Sequence, residues 1–121
     1  MGLRVLVVED DRGIRGVLDR GLRLAGHEVV MAEDLATAGA LWTADAYDVV
    51  LLDVMLPDGD GIALLAERRA DGDATPTVLL TAREEGELHD RAVAAGATAH
   101  LPKPFEYAEL LACLERVAQP R

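Results

Sequence analysis

Five apolar runs dominate the chain. They are Leu3 to Val8, His27 to Ala32, Tyr47 to Leu52, Thr77 to Leu80 and Thr98 to Leu101. Most are continuous rather than alternating, the pattern of strands buried on both faces. Longer amphipathic segments separate them. Strands and helices in strict alternation imply a parallel sheet with right-handed crossovers and helices on both faces. Helices are expected from Arg12 to Ala25, with Ile14, Val17, Leu18, Leu22 and Ala25 on one stripe, and from a cap at Asp34 to Ala44. A third should run from Ile62 to Ala70, with Ile62, Leu65, Ala66 and Arg69 in register, and a fourth from Glu84 to Ala95. The last should run from Phe105 to Val117, with Leu110, Cys113, Leu114 and Val117 inward. Gly26 and Gly96 stop two of these helices, and Asp71-Gly72-Asp73 breaks the third.

At 121 residues the chain fits one domain with a real core. One Trp, two Tyr and one Phe leave that core to Val, Leu, Ile and Ala. The net charge of −10 comes from scattered acids, which favour solubility. No basic stripe exists to neutralise phosphates, so this domain is not expected to bind nucleic acid directly. Cys113 stands alone, so no intramolecular disulfide is possible, and it reads as a core filler. Met1-Gly2-Leu3-Arg4 enters a strand at once, so no leader is expected. No apolar run is long enough to span a bilayer. The expected location is cytoplasmic.

The strand ends carry the chemistry. The first run ends in Glu9-Asp10-Asp11, the third in Asp53, the fourth in Thr81, and the fifth leads to Lys103. Open α/β sheets bind ligands at that edge. A carboxylate is a nucleophile at neutral pH and can accept a phosphoryl group, but two anions meet only with cations present. Clustered acids supply one cation by holding Mg²⁺ through oxygen. Asp10 and Asp53 are the expected direct ligands, with Glu9 acting through water. Lys103 supplies the second charge, framed by Pro102 and Pro104, and its bond to Pro104 is a candidate cis peptide. Thr81 offers a hydroxyl to a phosphoryl oxygen, and the small Ala82 lets the backbone approach closely. Each residue has a blander reading: Asp53 as a turn acid, Glu9 as a solvated strand end, Thr81 as an ordinary strand residue, Asp11 as a helix cap. Asp11 is taken as a cap. For the others, the gathering of all four groups at one sheet edge decides for function.

Four blocks carry a resemblance. Val7-Val8-Glu9-Asp10-Asp11, Leu51-Leu52-Asp53 with the turn Met55-Leu56-Pro57-Asp58-Gly59-Asp60-Gly61, Leu80-Thr81-Ala82-Arg83, and Leu101-Pro102-Lys103-Pro104-Phe105 resemble the signatures of response-regulator receiver domains, in order and spacing. The resemblance covers residues 1–117 and leaves 118–121 as a tail or the start of a linker. It implies a flavodoxin-like (βα)5 fold with strand order 2-1-3-4-5 and a sensor histidine kinase as partner. It also implies phosphoryl transfer onto Asp53, Mg²⁺ on Asp10, Asp53 and the Met55 carbonyl, and phosphoryl contacts from Thr81, Ala82 and Lys103. Thr81 and the residue at His100 would form the switch, changing the surface of the fourth helix, fifth strand and fifth helix. Met55 and Arg83 would tune self-dephosphorylation. Such a domain is a signalling phosphoacceptor that catalyses only its own phosphorylation and slow dephosphorylation. A C-terminal effector domain or a separate downstream protein would take the output.

The chain departs from the family at two places. The switch position, usually Tyr or Phe, is His100, which reads either as a surface imidazole of no special role or as a rotating residue sensitive to pH. Gly96-Ala97-Thr98-Ala99 lacks the paired acids of dimerising relatives, so an activated homodimer stays open although Asp90, Arg91, Glu109 and Arg116 remain. Three other readings are disfavoured. A haloacid-dehalogenase-type hydrolase needs an acid two residues after its nucleophile, where Met55 stands. A nucleotide-binding module needs a glycine-rich loop after the first strand, where Glu9-Asp10-Asp11 would repel phosphate. A receiver that binds without being phosphorylated has only His100 in its favour.

Overall fold

A computed structural model describes residues 2–81 and 86–118, with the side chains of 86 and 87 excepted. Among the described residues seven strands form: β1 Arg4–Val8, β2 Glu28–Ala32, β3 Val49–Asp53, β4 Met55–Leu56, β5 Gly59–Asp60, β6 Thr77–Thr81 and β7 Ala99–Pro102. The helices are α1 Arg12–Leu24, α2 Leu35–Ala44, α3 Gly61–Ala70, α4 Gly86–Ala95 and α5 Tyr107–Val117. The main sheet has five strands in the order β2-β1-β3-β6-β7, all parallel. Because β4 and β5 pair in a small antiparallel hairpin, β6 and β7 are the expected fourth and fifth sheet strands. The expected order therefore holds.

Alternation within each strand divides the core into two layers. Val5, Val7, Val49, Leu51, Val78 and Leu80 face Leu18 and Leu22 of α1 and Leu110, Cys113 and Leu114 of α5. Leu6, Val8, Val50, Leu52 and Leu79 face Trp42 of α2, Ile62 and Leu65 of α3 and Ala92 of α4. The central strands β3 and β6 are buried along their whole length, as unbroken apolar runs require.

Local chemistry shifts several expected boundaries. α5 starts at Tyr107 rather than Phe105, because Glu109 reaches back to accept from the Glu106 N–H at 3.0 Å and fixes Glu106 as the cap. His27 lies outside β2, and its Nδ1 accepts from the Leu3 N–H at 3.0 Å. β3 starts at Val49, not Tyr47, and extends to include Asp53, while β7 runs from Ala99 to Pro102. α1 ends at Leu24, and Gly26 follows with a φ of 92°. Val17 and Ala25 face solvent rather than the core, because the α1 stripe is only as wide as Ile14, Leu18 and Leu22. In α3, Leu64 is buried and Ala66 is exposed, the reverse of the expected register at those two positions. The expected start of α4 at Glu84 lies outside the described residues.

Caps set the helix starts. Asp11 accepts from the Ile14 N–H at 2.9 Å and Asp34 from the Thr37 N–H at 2.7 Å. Asp60 caps α3 through the Ile62 N–H at 2.8 Å, and its other oxygen pairs with Arg91 of α4. Asp58 of the hairpin accepts from the first two N–H groups of α2, Leu35 at 2.8 Å and Ala36 at 3.1 Å. These bonds hold the Asp58 carboxyl below the ordinary range, the Leu35 bond foremost. The loop after Asp53 is thereby tied to α2 on one side and α4 on the other.

Candidate functional site

β1 and β3 are neighbours whose next strands lie on opposite sides, so the crevice between their carboxyl ends is the switch point of the sheet. Glu9 follows β1 there, and Asp53 is the last residue of β3. Glu9 is fully buried and Asp53 is 6 % exposed, while Asp10 is exposed. Oxygens of the three carboxylates lie within 4.8 Å of one another. Lys103 reaches in from the end of β7: its Nζ stands 2.5 Å from Glu9 Oε1 and 3.1 Å from Asp53 Oδ2. The Lys103–Pro104 bond is cis, as anticipated.

The backbone around these groups is tightly held. The Lys103 N–H donates to the Thr81 carbonyl at 2.6 Å, which ties the lysine to the end of β6. Thr81 itself is buried, as the last residue of that strand. Asp53 Oδ1 accepts from the Met55 N–H at 3.2 Å, and Glu9 Oε2 accepts from the Asp11 N–H at 3.1 Å. Gly61 lies so close behind the acceptor that a Cβ there would meet the Asp53 carbonyl oxygen at 2.2 Å. Only glycine fits that approach.

Charge is out of balance here. Burial pushes the Glu9 carboxyl above its ordinary value, and the neighbouring Asp53 adds to the push, although Lys103 and the Asp11 N–H oppose it. Burial alone would lower Lys103, but the bond to Glu9 and the charges of Asp53 and Glu9 hold it above its ordinary value. Among the described residues, three acids against one lysine form a site that gains from a further cation. All-oxygen donors suit a hard divalent ion such as Mg²⁺, so the residues present fit that ion.

Glu9, Asp10, Asp53 and Lys103 lie together at one sheet edge, and Thr81 ends the neighbouring strand with its carbonyl bonded to the Lys103 N–H. Met55 is exposed on the hairpin beside Asp53, whereas Ala82 and Arg83 lie outside the described residues. His100 is half-buried on β7, and its ring stands edge-on to His89 of α4. The sequence reading missed Gly61, Asp58, the Asp60–Arg91 pair and Arg12. Arg12 lines a groove of about 310 Å³ with Asp10, Arg15, Glu33, Asp34 and Pro57. A signal for the clamps existed in the repeated acids of Asp58-Gly59-Asp60-Gly61, but sequence spacing alone could not name their partners.

A parallel α/β domain with three acids and one lysine converging at its switch point defines a class of anion- and cation-gathering sites. Comparison gives the family: the response regulator receiver domain model matches residues 5–115, and the chain belongs to that family. It is a signalling domain of two-component response regulators. The response regulator MprA of Mycolicibacterium vanbaalenii is 43% identical over 112 residues, covering 93% of this chain and 48% of that protein. The chain therefore spans about half the length of that relative. The Francisella response regulator 1452 receiver domain superposes with a TM-score of 0.92 at 30% identity, over 98% of both chains. The receiver domain of sensor histidine kinase PA1611 from Pseudomonas aeruginosa, solved with a magnesium ion in its active-site cleft, gives 0.89 at 32% identity over 99% and 100%. Among the described residues no helix is long and apolar enough to cross a membrane.

Proposed function

We propose that Asp53 is the phosphoacceptor of a magnesium-dependent receiver and takes its phosphoryl group from the phosphohistidine of a sensor kinase. One observation carries this reading: the Lys103 ammonium contacts both Glu9 and Asp53 inside a cluster that also includes Asp10. Asp10, Asp53 and the Met55 carbonyl would hold Mg²⁺, with Glu9 acting through water. That ion, when bound, supplies charge neutralisation between the two anions.

The chain's own groups do the remaining work. Met55 N–H and Lys103 orient the two Asp53 oxygens. An Asp53 oxygen attacks phosphorus, the P–N bond of the donor breaks, and the histidine keeps the electron pair. Lys103, the Thr81 hydroxyl and Ala82 bind the transferred group. Water later attacks phosphorus, the P–O bond to Asp53 breaks with its electron pair left on the carboxylate, and inorganic phosphate departs, so the domain promotes only its own phosphorylation and slow dephosphorylation. Thr81 and His100 form the switch, and the output surface is α4, β7 and α5. Residues 1–117 make up the receiver and 118–121 a tail or linker, with a C-terminal effector or separate protein downstream. The setting is cytoplasmic, with no nucleic acid bound by this domain directly.

Arg91, one of the residues suited to pairing between copies, is engaged with Asp60. That supports a receiver whose activation does not depend on a homodimer through this residue. Intact mass after incubation with acetyl phosphate and Mg²⁺ tests the proposal. One added phosphoryl group, absent in Asp53→Asn and in EDTA, is expected. A beryllofluoride complex covers the case of rapid self-hydrolysis. Failure to form either adduct, or an adduct that persists in Asp53→Asn, would sink the assignment.

A further inference from the structure

Away from the acid cluster the fold brings together a second pair of metal-ligating side chains. The chain has three histidines. Two of them, His89 of α4 and His100 of β7, meet with ring centroids 5.3 Å apart and planes at 74°. Eleven positions of chain, including the end of a helix and a tight glycine turn, separate the two in sequence; the packing of α4 against the sheet edge closes that distance. The third, His27, lies at the far end of the sheet with its Nδ1 bonded to Leu3.

A pair of phenyl rings in this arrangement would be an aromatic contact and nothing more. Imidazole differs, because its neutral ring carries a nitrogen lone pair and is the commonest metal ligand in proteins. An ion bound at 2.0–2.1 Å by one nitrogen of each ring, at a tetrahedral angle, places the ring centres about 5 Å apart. The observed spacing matches that value. His89 is exposed on α4, while His100 is half-buried on its strand.

We infer that His89 and His100 form a binding site for a borderline divalent ion of the Zn²⁺, Ni²⁺ or Cu²⁺ type, bridging α4 and β7, with water completing the shell. Two imidazoles select such ions over Mg²⁺, just as the all-oxygen cluster suits Mg²⁺. Among the described residues the three-carboxylate group is the one set of three or more such ligands. The histidine site thus rests on both rings, and loss of either removes half of it. Its occupation favours conformations that keep the two rings adjacent and so biases the position of His100. The site does not involve Asp53, and its test stands apart from phosphoryl transfer.

Isothermal titration of the 121-residue chain with Ni²⁺ in excess Mg²⁺ gives the readout. One ion per chain is expected. His89→Ala and His100→Ala should each weaken binding at least tenfold, about the lower bound for disturbing a metal's supporting shell. His89→Gln and His100→Asn should do the same and guard against a folding defect, while His27→Ala should bind as the parent does. Paramagnetic broadening by substoichiometric Cu²⁺ should reach the ring protons of residues 89 and 100 before those of 27. No binding by the parent chain, binding that survives loss of either ring, or binding abolished instead by Asp10→Asn would overturn the inference.

Discussion

Helix α3 has a charge cluster near each end, and the two are built on opposite logic. At its N-terminal end three acids gather, two of them paired with Lys103, and Glu9 is pushed above its ordinary value. At its C-terminal end Arg68 and Arg69 meet Asp71 and Asp73, with Arg68 Nη2 at 3.2 Å from Asp73 Oδ2. Burial would raise Asp73, but its bonds from Thr75 and Arg68 outweigh that and hold it below the ordinary range. One end is neutralised within the chain. Among the described residues the other is left short of positive charge. A site that recruits an ion and a phosphoryl group must keep that deficit, whereas a purely architectural cluster has no reason to.

Each side of this contrast can be broken by experiment. The largest effect should follow Lys103→Met, which removes the cation that contacts both Glu9 and Asp53. Phosphoryl incorporation from acetyl phosphate should slow by roughly 10²–10³, the loss typical of one preorganised donor. A slowing of less than tenfold would mean that the ammonium is structural. Next, Asp73→Ala should destabilise the domain by roughly 2–3 kcal/mol, below the figure for a fully buried pair because both partners are partly wet. Urea denaturation measures it, and Asp73→Ala with Arg68→Met should recover part of the loss.

Mg²⁺ should act only on the deficient end. At ten times its dissociation constant it should add about 1.4 kcal/mol to unfolding, and Asp10→Asn should abolish most of that gain. The smallest effects are pH slopes in metal-free buffer. Glu9 is raised in the fold, so the native state holds its proton more tightly than the unfolded chain. Its contribution is fully present below the ordinary glutamate value of 4.5 and is lost as pH rises through the folded value. Asp73 is lowered, so its contribution is present above 3.8 and is lost as pH falls through its folded value. Glu9→Gln should therefore remove a falling slope above pH 4.5, and Asp73→Asn a rising slope below 3.8. Each slope is bounded by about 1.4 kcal/mol per pH unit. Slopes of the same sign at both ends would falsify the contrast.

The sequence discloses these two ends unequally. Glu9, Asp10, Asp53, Thr81 and Lys103 were legible because apolar runs announce strands, and each of these residues sits where such a run stops. The strand order followed from the resemblance and holds in the fold. Side-chain partners across elements were not legible. Asp60 with Arg91, Asp58 with the start of α2, and His89 with His100 depend on how helices lie against the sheet, which local periodicity does not encode. The segment after Asp53 reads from sequence as a turn, and its strand pairing is not legible because each strand of the hairpin has only two residues. Helix faces were misjudged at Val17, Ala25 and Ala66, where small or β-branched residues fill the outer surface without harming a core already closed by Leu18, Leu22 and Leu65.

Lys103 meets Glu9 across 94 positions of chain and Asp53 across 50. No contiguous fragment smaller than nearly the whole domain can therefore contain the chemistry. A cut in the loop between α2 and β3 would leave Glu9 and Asp10 on one piece and Asp53, Thr81 and Lys103 on the other. Each half alone would be inert. Acceptance of a phosphoryl group after mixing would then count reassembled molecules, making the domain a self-reporting split protein.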